Sequence, residues 1–362
     1  MIFLPLVAAL EVAFPKVKIM QLTDLHFGEG SLQDKMSIKH MENLLEWEKP
    51  DCVVITGDMV SGYAWPGEKG WYEKLYSKYV SAFVKFGVPW ALTLGNHDTE
   101  ADLEGRQIME LDSKHNLSLS RESFSFLSHS SNYFVPINYK GELRFVLWLL
   151  DSGNRNHCDG LYGYDCVHKD QIEWLSSVQD TLKAARGSVP QGLVFMHIPP
   201  PEFMLTWNSR TSKGSKYENV ACWANHSNYF VESLQSILGV VAGHDHFNDY
   251  EGKYLGIKLY YGRKTGYGGY GPRPYMTQGA RIFEVNLTNY FVESWIREEN
   301  GNVLVQEKMQ GDLFLQTVCA ESQEPPTFWV ALVGILASIA LILGCFFAKK
   351  RVASQKTSRL II

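Results

Sequence analysis

Short apolar runs recur along the chain at Lys16–Leu22 (KVKIMQL) and Cys52–Thr56 (CVVIT), and at residues 89–94, 144–150, 192–198, 239–243, 257–262 and 281–287. Many are β-branched and almost continuously apolar, the pattern of strands covered on both faces. Polar–apolar stretches of helical period lie between them, at residues 34–48, 71–86, 102–114, 168–185 and 228–238. In the fourth of these Ile172, Leu175, Val178 and Leu182 line one face. Strand–helix alternation predicts an α/β sheet core. The stretch 257–305 reads mostly as strand and predicts a second sheet packed on the first. No internal repeat is visible.

The two ends differ from this middle. Residues 328–348 (FWVALVGILASIALILGCFFA) contain no charge, and Lys349, Lys350 and Arg351 follow at once. About 20 apolar residues in a helix cross a bilayer core, and flanking Lys and Arg favour the cytoplasmic side. The expectation is a single transmembrane helix at 328–348, preceded by a stalk at 311–327 and followed by a short basic cytoplasmic tail at 349–362. Residues 15–310 would then form an extracellular or lumenal domain, giving a single-pass type I membrane protein. Residues 1–14 begin with MIFLPLVAAL, which resembles the apolar core of a signal peptide. Three sequons, at Asn116, Asn225 and Asn286, are candidate glycosylation sites that agree with export. Of six cysteines, Cys158 and Cys166 are spaced to staple one loop, and nothing in the spacing suggests a zinc motif. The net charge is −5, with no basic run ahead of the tail, so nucleic-acid binding is not expected.

The chemistry lies where the strands stop. KIMQL runs into TDLHFG, with Asp24 and His26. CVVIT runs into GDMV, with Asp58. Residues 93–99 read TLGNHDT, with Asn96, His97 and Asp98. GLVFM ends at His197, and GVVA ends at GHDH, with His244 and His246. In open α/β sheets, ligands bind outside the carboxyl ends of strands, so these side chains could converge. Without His97 and Asp98 the set holds two carboxylates, one amide oxygen and four imidazoles. Mixed oxygen and imidazole donors suit Fe, Mn, Zn or Co better than Ca. Gly95-Asn96 is also good turn chemistry, and Asp98 could cap a following helix or orient a neighbour.

D-x-H, G-D, G-N-H-D, a lone His after a strand, and G-H-x-H, in that order, resemble the calcineurin-like metallophosphoesterase superfamily. The likeness runs from about residue 16 to about residue 286. HIPPPEF (197–203) and GRKTGYGGYG (262–271) further resemble its purple acid phosphatase-like branch. The resemblance implies a four-layer α/β/β/α sandwich holding two metal ions, Fe, Mn or Zn. It implies Asp24, His26 and His246 on one ion, Asn96, His197 and His244 on the other, and Asp58 bridging both. His97 would be the catalytic acid that protonates the leaving alkoxide, while hydroxide held between the metals attacks phosphorus. The implied activity is phosphate-ester hydrolysis, a phosphomonoesterase ahead of a phosphodiesterase, with a non-catalytic ectodomain as the remaining alternative. Purple enzymes carry a Tyr where this chain has Ser61 and lack the equivalent of His26, so their iron charge-transfer colour is not expected. Arg155 could clamp phosphate or be a surface arginine. Residues 266–271 could cradle phosphate through backbone N–H groups or be a rim loop. His40, His115, His129, His157, His168 and His226 fit no motif.

Overall fold

The structure is a computed structural model that describes residues 9–155, 158–161, 163–223 and 230–320. Two mixed sheets form its centre. One has seven strands in the order Leu10–Val12, Tyr133–Tyr139, Glu142–Leu149, Gln191–Phe195, Ile237–Ala242, Ile257–Tyr261 and Glu251–Tyr254. The other has six, in the order Val303–Leu304, Val292–Glu298, Gly279–Asn286, Lys16–Leu22, Cys52–Thr56 and Trp90–Thr93.

Side-chain alternation within the strands builds the layers. Successive residues point to opposite faces of a sheet. Phe145, Leu147, Leu149, Leu193, Phe195, Val241 and Tyr260 join a core with Ile19, Val53, Ile282 and Phe283 of the other sheet. Their neighbours Val146, Trp148, Val194, Val240, Leu259 and Tyr261 turn away, toward Trp174, Leu175, Val178 and Leu182 of the helix Lys169–Arg186. The Phe283 ring meets Phe195 and Tyr260 across the two sheets. On the outer side of the six-stranded sheet, Met41, Leu44 and Leu45 of the helix Ser31–Glu48 share the first core. The result is the expected helix–sheet–sheet–helix order.

The stretch 257–305 does not form a sheet of its own. Ile257–Tyr261 pairs parallel to Ile237–Ala242 in one sheet, while Gly279–Asn286 pairs antiparallel to Lys16–Leu22 in the other. The expected helix at 71–86 is interrupted at Val80, giving Trp71–Tyr79 and Ser81–Phe86. The Ser81 hydroxyl donates back to the Lys78 carbonyl, a bond that competes with helix continuation. Within the described residues the expected helix at 228–238 covers Phe230–Ser233 and ends there, because Ile237–Ala242 is drawn into the sheet between Gln191–Phe195 and Ile257–Tyr261.

Leu10–Val12 pairs parallel to residues 137–139, inside the 1–14 stretch given above to a signal peptide; residues 1–8 lie outside the described residues. At the other end Met309–Gly311 pairs with Gly214–Lys216, and Cys319 is disulfide-bonded to Cys222. The expected stalk therefore begins as a strap on the domain. The Cys158–Cys166 disulfide forms as expected. Among the described residues no helix is long and apolar enough to cross a membrane; residues 328–348 lie outside them.

Candidate dimetal centre

Lys16–Leu22, Cys52–Thr56 and Trp90–Thr93 run parallel, as do Gln191–Phe195 and Ile237–Ala242 in the other sheet. Their carboxyl ends deliver all seven expected ligands to one buried place. Asp24, His26 and His246 offer donor atoms within 4.8 Å of one another, and so do Asp58, His197 and His244. The Asn96 amide oxygen lies 3.2 Å from His197 Nε2. Asp58 stands between the groups, its Oδ2 3.2 Å from His197 Nε2 and 3.6 Å from His26 Nε2. Asp24 Oδ1 lies 3.3 Å from His246 Nε2.

Asp24, His26, Asp58 and His244 all adopt left-handed backbone, with φ of 53°, 50°, 51° and 79°. Each such conformation costs on the order of 1–2 kcal/mol for a residue with a Cβ. Neighbouring backbone holds them there. Asp24 N–H donates to the Gly57 carbonyl and His26 N–H to that of Asp58, which zips the first two loops together. The buried Asp98 carboxylate accepts from the N–H groups of Asp58, Met59 and Gly95, at 2.9, 2.8 and 2.7 Å. Asp98 therefore does not cap the next helix, which starts with a Glu104–Gln107 capping box; it fixes the loop that carries Asp58. Gly95 is required for this approach, since a Cβ there would sit 2.3 Å from Asp58 Oδ1.

The outer nitrogens set the tautomers. His197 Nδ1 lies 2.8 Å from the Thr56 carbonyl, and His246 Nδ1 lies 2.8 Å from that of Tyr270. A carbonyl only accepts, so both Nδ1 atoms carry the proton. His26 Nδ1 reaches the Ser61 hydroxyl at 2.9 Å, and that hydroxyl donates to Glu29. Nε2 of all three rings is then a bare lone pair facing inward. His26 Nε2 and His246 Nε2 are 3.2 Å apart, and His197 Nε2 is 3.3 Å from His244 Nδ1. Facing lone pairs repel unless a proton or a metal cation lies between them. The residues thus fit two metal ions, with Thr56, Tyr270 and Ser61 orienting the rings of His197, His246 and His26. Burial holds the imidazoles of His26, His244 and His246 below their ordinary range, which leaves them neutral and ligand-ready. His197 is also buried, yet the Asp58 carboxylate pulls it up to about 10, so a proton and a cation compete for the same Nε2.

His97 stands apart from the ligands. Its backbone N–H donates to Asp58 Oδ1 at 2.9 Å, and its Nδ1 lies 2.6 Å from Glu100 Oε2. Burial opposes its protonation, but Asp58 and Glu100 together raise it, while the charge of Arg155 opposes them. Arg155 therefore lies at the rim, its guanidinium 6.0 Å from the Tyr164 ring, which packs edge-on against His244. Residues 266–271 pack on the backbone of the first loop. A Cβ at Gly268 would meet the His26 carbonyl oxygen at 1.9 Å, and the Gly269 N–H is taken by Glu29. The loop holds ligands in place. Asn116 is exposed, Asn286 uses its side-chain oxygen to accept from Thr288 and Asn289, and Asn225 lies outside the described residues.

Motif reading missed Glu100, Ser61 and Glu29, because no spacing announces a residue whose role is to hold another. It also gave no hint that His129 and His168 meet around Asp165.

Two stacked sheets whose strand ends carry seven convergent Asp, Asn and His donors define the class: a dimetal phosphoesterase sandwich. The model of the calcineurin-like phosphoesterase family matches residues 17–248, and the chain belongs to that family. It is 28% identical over 317 residues, covering 77% of this chain and 78% of the other, to "Probable inactive purple acid phosphatase 14" of Arabidopsis thaliana. It is 29% identical over 324 residues, 78% of this chain and 54% of the other, to "Phosphatase DCR2" of Saccharomyces cerevisiae. A dimetal phosphatase from Danio rerio shares the fold with a TM-score of 0.52 at 14% identity, covering 84% of this chain and 99% of that one.

Proposed function

We propose that this chain is an active dinuclear metal-dependent phosphoesterase, a phosphomonoesterase in preference to a phosphodiesterase, anchored by residues 328–348 with its catalytic domain extracellular or lumenal. The observation that carries the catalytic reading is the completeness of the inward-facing donor set beside an oriented His97–Glu100 pair. The yeast relative's name, a phosphatase, favours monoesters. The word "inactive" in the Arabidopsis relative's name points to the competing reading, a non-catalytic ectodomain. Two disulfides among the described residues suit an exported domain, since such bonds persist in oxidising compartments.

When bound, the two ions supply Lewis acidity toward the phosphoryl oxygens and activation of the attacking water. The chain does the rest. Asp24, His26 and His246 hold one ion, Asn96, His197 and His244 the other, and Asp58 spaces the two. Asn96 Nδ2, buried and without a hydrogen-bond partner, is a donor for a phosphoryl oxygen. Glu100 accepts a hydrogen bond from His97 Nδ1–H and, with Asp58, favours the doubly protonated imidazolium, whose Nε2–H is available to the leaving oxygen. Tyr164 and Arg155 wall one side.

A panel of phosphate mono- and diesters assayed on the full chain, with metal content measured on the same sample, tests this reading. Chelator-sensitive turnover, faster on monoesters, is expected. Two bound ions with no turnover of any ester would establish the non-catalytic alternative instead.

A further inference from the structure

His129, His168 and Asp165 come from three separate segments. His129 lies in the loop before the strand Tyr133–Tyr139, Asp165 closes the Cys158–Cys166 disulfide loop, and His168 caps the helix Lys169–Arg186. His168 Nε2 is 2.9 Å from Asp165 Oδ1, and His129 Nε2 is 3.5 Å from Asp165 Oδ2. All three donor atoms fall within 4.8 Å of one another. Zinc bound by His and carboxylate at about 2.0–2.2 Å places neighbouring tetrahedral donors about 3.4 Å apart, close to this spacing. We propose that these residues form a third cation site, outside the dimetal centre, that takes zinc with two imidazoles, one carboxylate and water.

Three observations support the assignment. The first is an orphan. His129 Nε2 is buried and makes no hydrogen bond, although it points at the Asp165 carboxylate. A proton on His168 would satisfy the His168–Asp165 contact alone and leave that nitrogen unused; a cation uses all three atoms. The second is orientation from outside. His168 Nδ1 lies 3.4 Å from Asp159 Oδ1, the carboxylate–imidazole arrangement that turns the other nitrogen toward a metal. The third is preorganisation. His129 has left-handed backbone, φ 64°, and its neighbours are pinned: Ser128 N–H donates to Asp170, and Ser130 N–H donates to Asp151. Asp165 is fixed by its own N–H donating to the Asn154 carbonyl.

The consequence reaches the substrate side. Tyr164 precedes Asp165 and packs on His244, and Asn154 precedes Arg155. An ion at Asp165 therefore ties the wall beside the dimetal centre to the start of a core helix.

Metal content decides the matter. The full chain equilibrated with zinc and desalted is expected to retain three ions, and His129→Ala or His168→Gln to retain two. Asp58→Asn combined with His197→Ala is expected to keep one ion, which adding His129→Ala removes. Cobalt titration of the wild-type chain and of His129→Ala provides a second measure: the variant should lose one tetrahedral-type absorbance step out of three. Two ions in the wild type, unchanged in His129→Ala, or an equal number of cobalt steps in both, would overturn the proposal and leave a proton as the bridge.

Discussion

His97 shows how much a single side chain depends on its immediate neighbour. Its position next to the ligand Asn96 is fixed by the chain, but its direction is fixed by the 2.6 Å contact to Glu100. His97→Ala should lower kcat by about 10²–10⁴-fold, the usual range for a lost general acid. Metal content should stay at the wild-type value, since no ligand is touched. Glu100→Gln keeps a hydrogen-bond acceptor but loses the charge, so kcat should fall less, with metals again retained. Asp58→Asn should lose ions and turnover together. If His97→Ala and Asp58→Asn shed metal equally, the separation of acid from ligand is wrong. The seven convergent donors were legible in the sequence because metal chemistry restricts residue type and because each follows an apolar run. Glu100 was not, because a carboxylate three residues after a histidine has no distinctive spacing until the turn brings them together. Ser61 was noticed only as the place where a tyrosine is missing; its actual use, accepting from His26 and donating to Glu29, exists only once three loops have packed.

At the scale of elements, the strand ends are held by groups that never touch an ion. Asp98 accepts four backbone N–H groups from two loops, those of Asp58, Met59, Val60 and Gly95. Burial and the nearby Asp58 raise its carboxyl to about 7, while the backbone N–H groups work against that rise by favouring the ionised form. Asp98→Asn replaces one acceptor oxygen by a donor facing backbone N–H. Metal affinity should drop by about 10–100-fold, the range for a lost outer-shell partner, measured by competition with a chelator. An unchanged affinity would mean the loop is fixed by the sheet alone. The Cys222–Cys319 disulfide is a second device of this kind. It closes a loop with a sequence separation of 97 and straps the segment after Met309–Gly311 to the domain. Chain-entropy reasoning assigns such a loop about 4–5 kcal/mol. Replacing both cysteines by serine should lower the unfolding midpoint, read by calorimetry, while the buried thiol of Cys52 stays unmodified in the folded state. The disulfide was not visible in the sequence, because the two cysteines lie too far apart to suggest pairing; Asp98 read as a helix cap or as orienting a neighbour, and only the packed loops select the second. The strands were legible because their apolar runs are long and β-branched. Their division between sheets was not, since pairing partners such as Gly279–Asn286 and Lys16–Leu22 are more than 250 residues apart in places and share no local signal.

Across the whole molecule, the dimetal centre is where the fold gives up stability. Four ligand residues hold left-handed backbone, and two pairs of lone-pair-bearing nitrogens face each other at 3.2 and 3.3 Å. The surrounding architecture keeps these groups in place: two sheets joined by one core, with helices Ser31–Glu48 and Lys169–Arg186 closing the outer faces. An ion binding the folded chain and not the unfolded one adds RT ln(1 + [L]/Kd), about 2.7 kcal/mol at a hundredfold excess over Kd. For a domain of this size that corresponds to a shift of roughly a few degrees. Stripping metal with chelator should therefore lower the unfolding temperature by a few degrees while far-ultraviolet circular dichroism at room temperature stays unchanged, because the sheets do not need the ions. Adding back manganese or zinc should restore the midpoint in the wild type and not in Asp58→Asn. A midpoint indifferent to chelator would mean that the seven donors, though gathered, bind no ion tightly, and the phosphoesterase chemistry argued from them would lose its foundation.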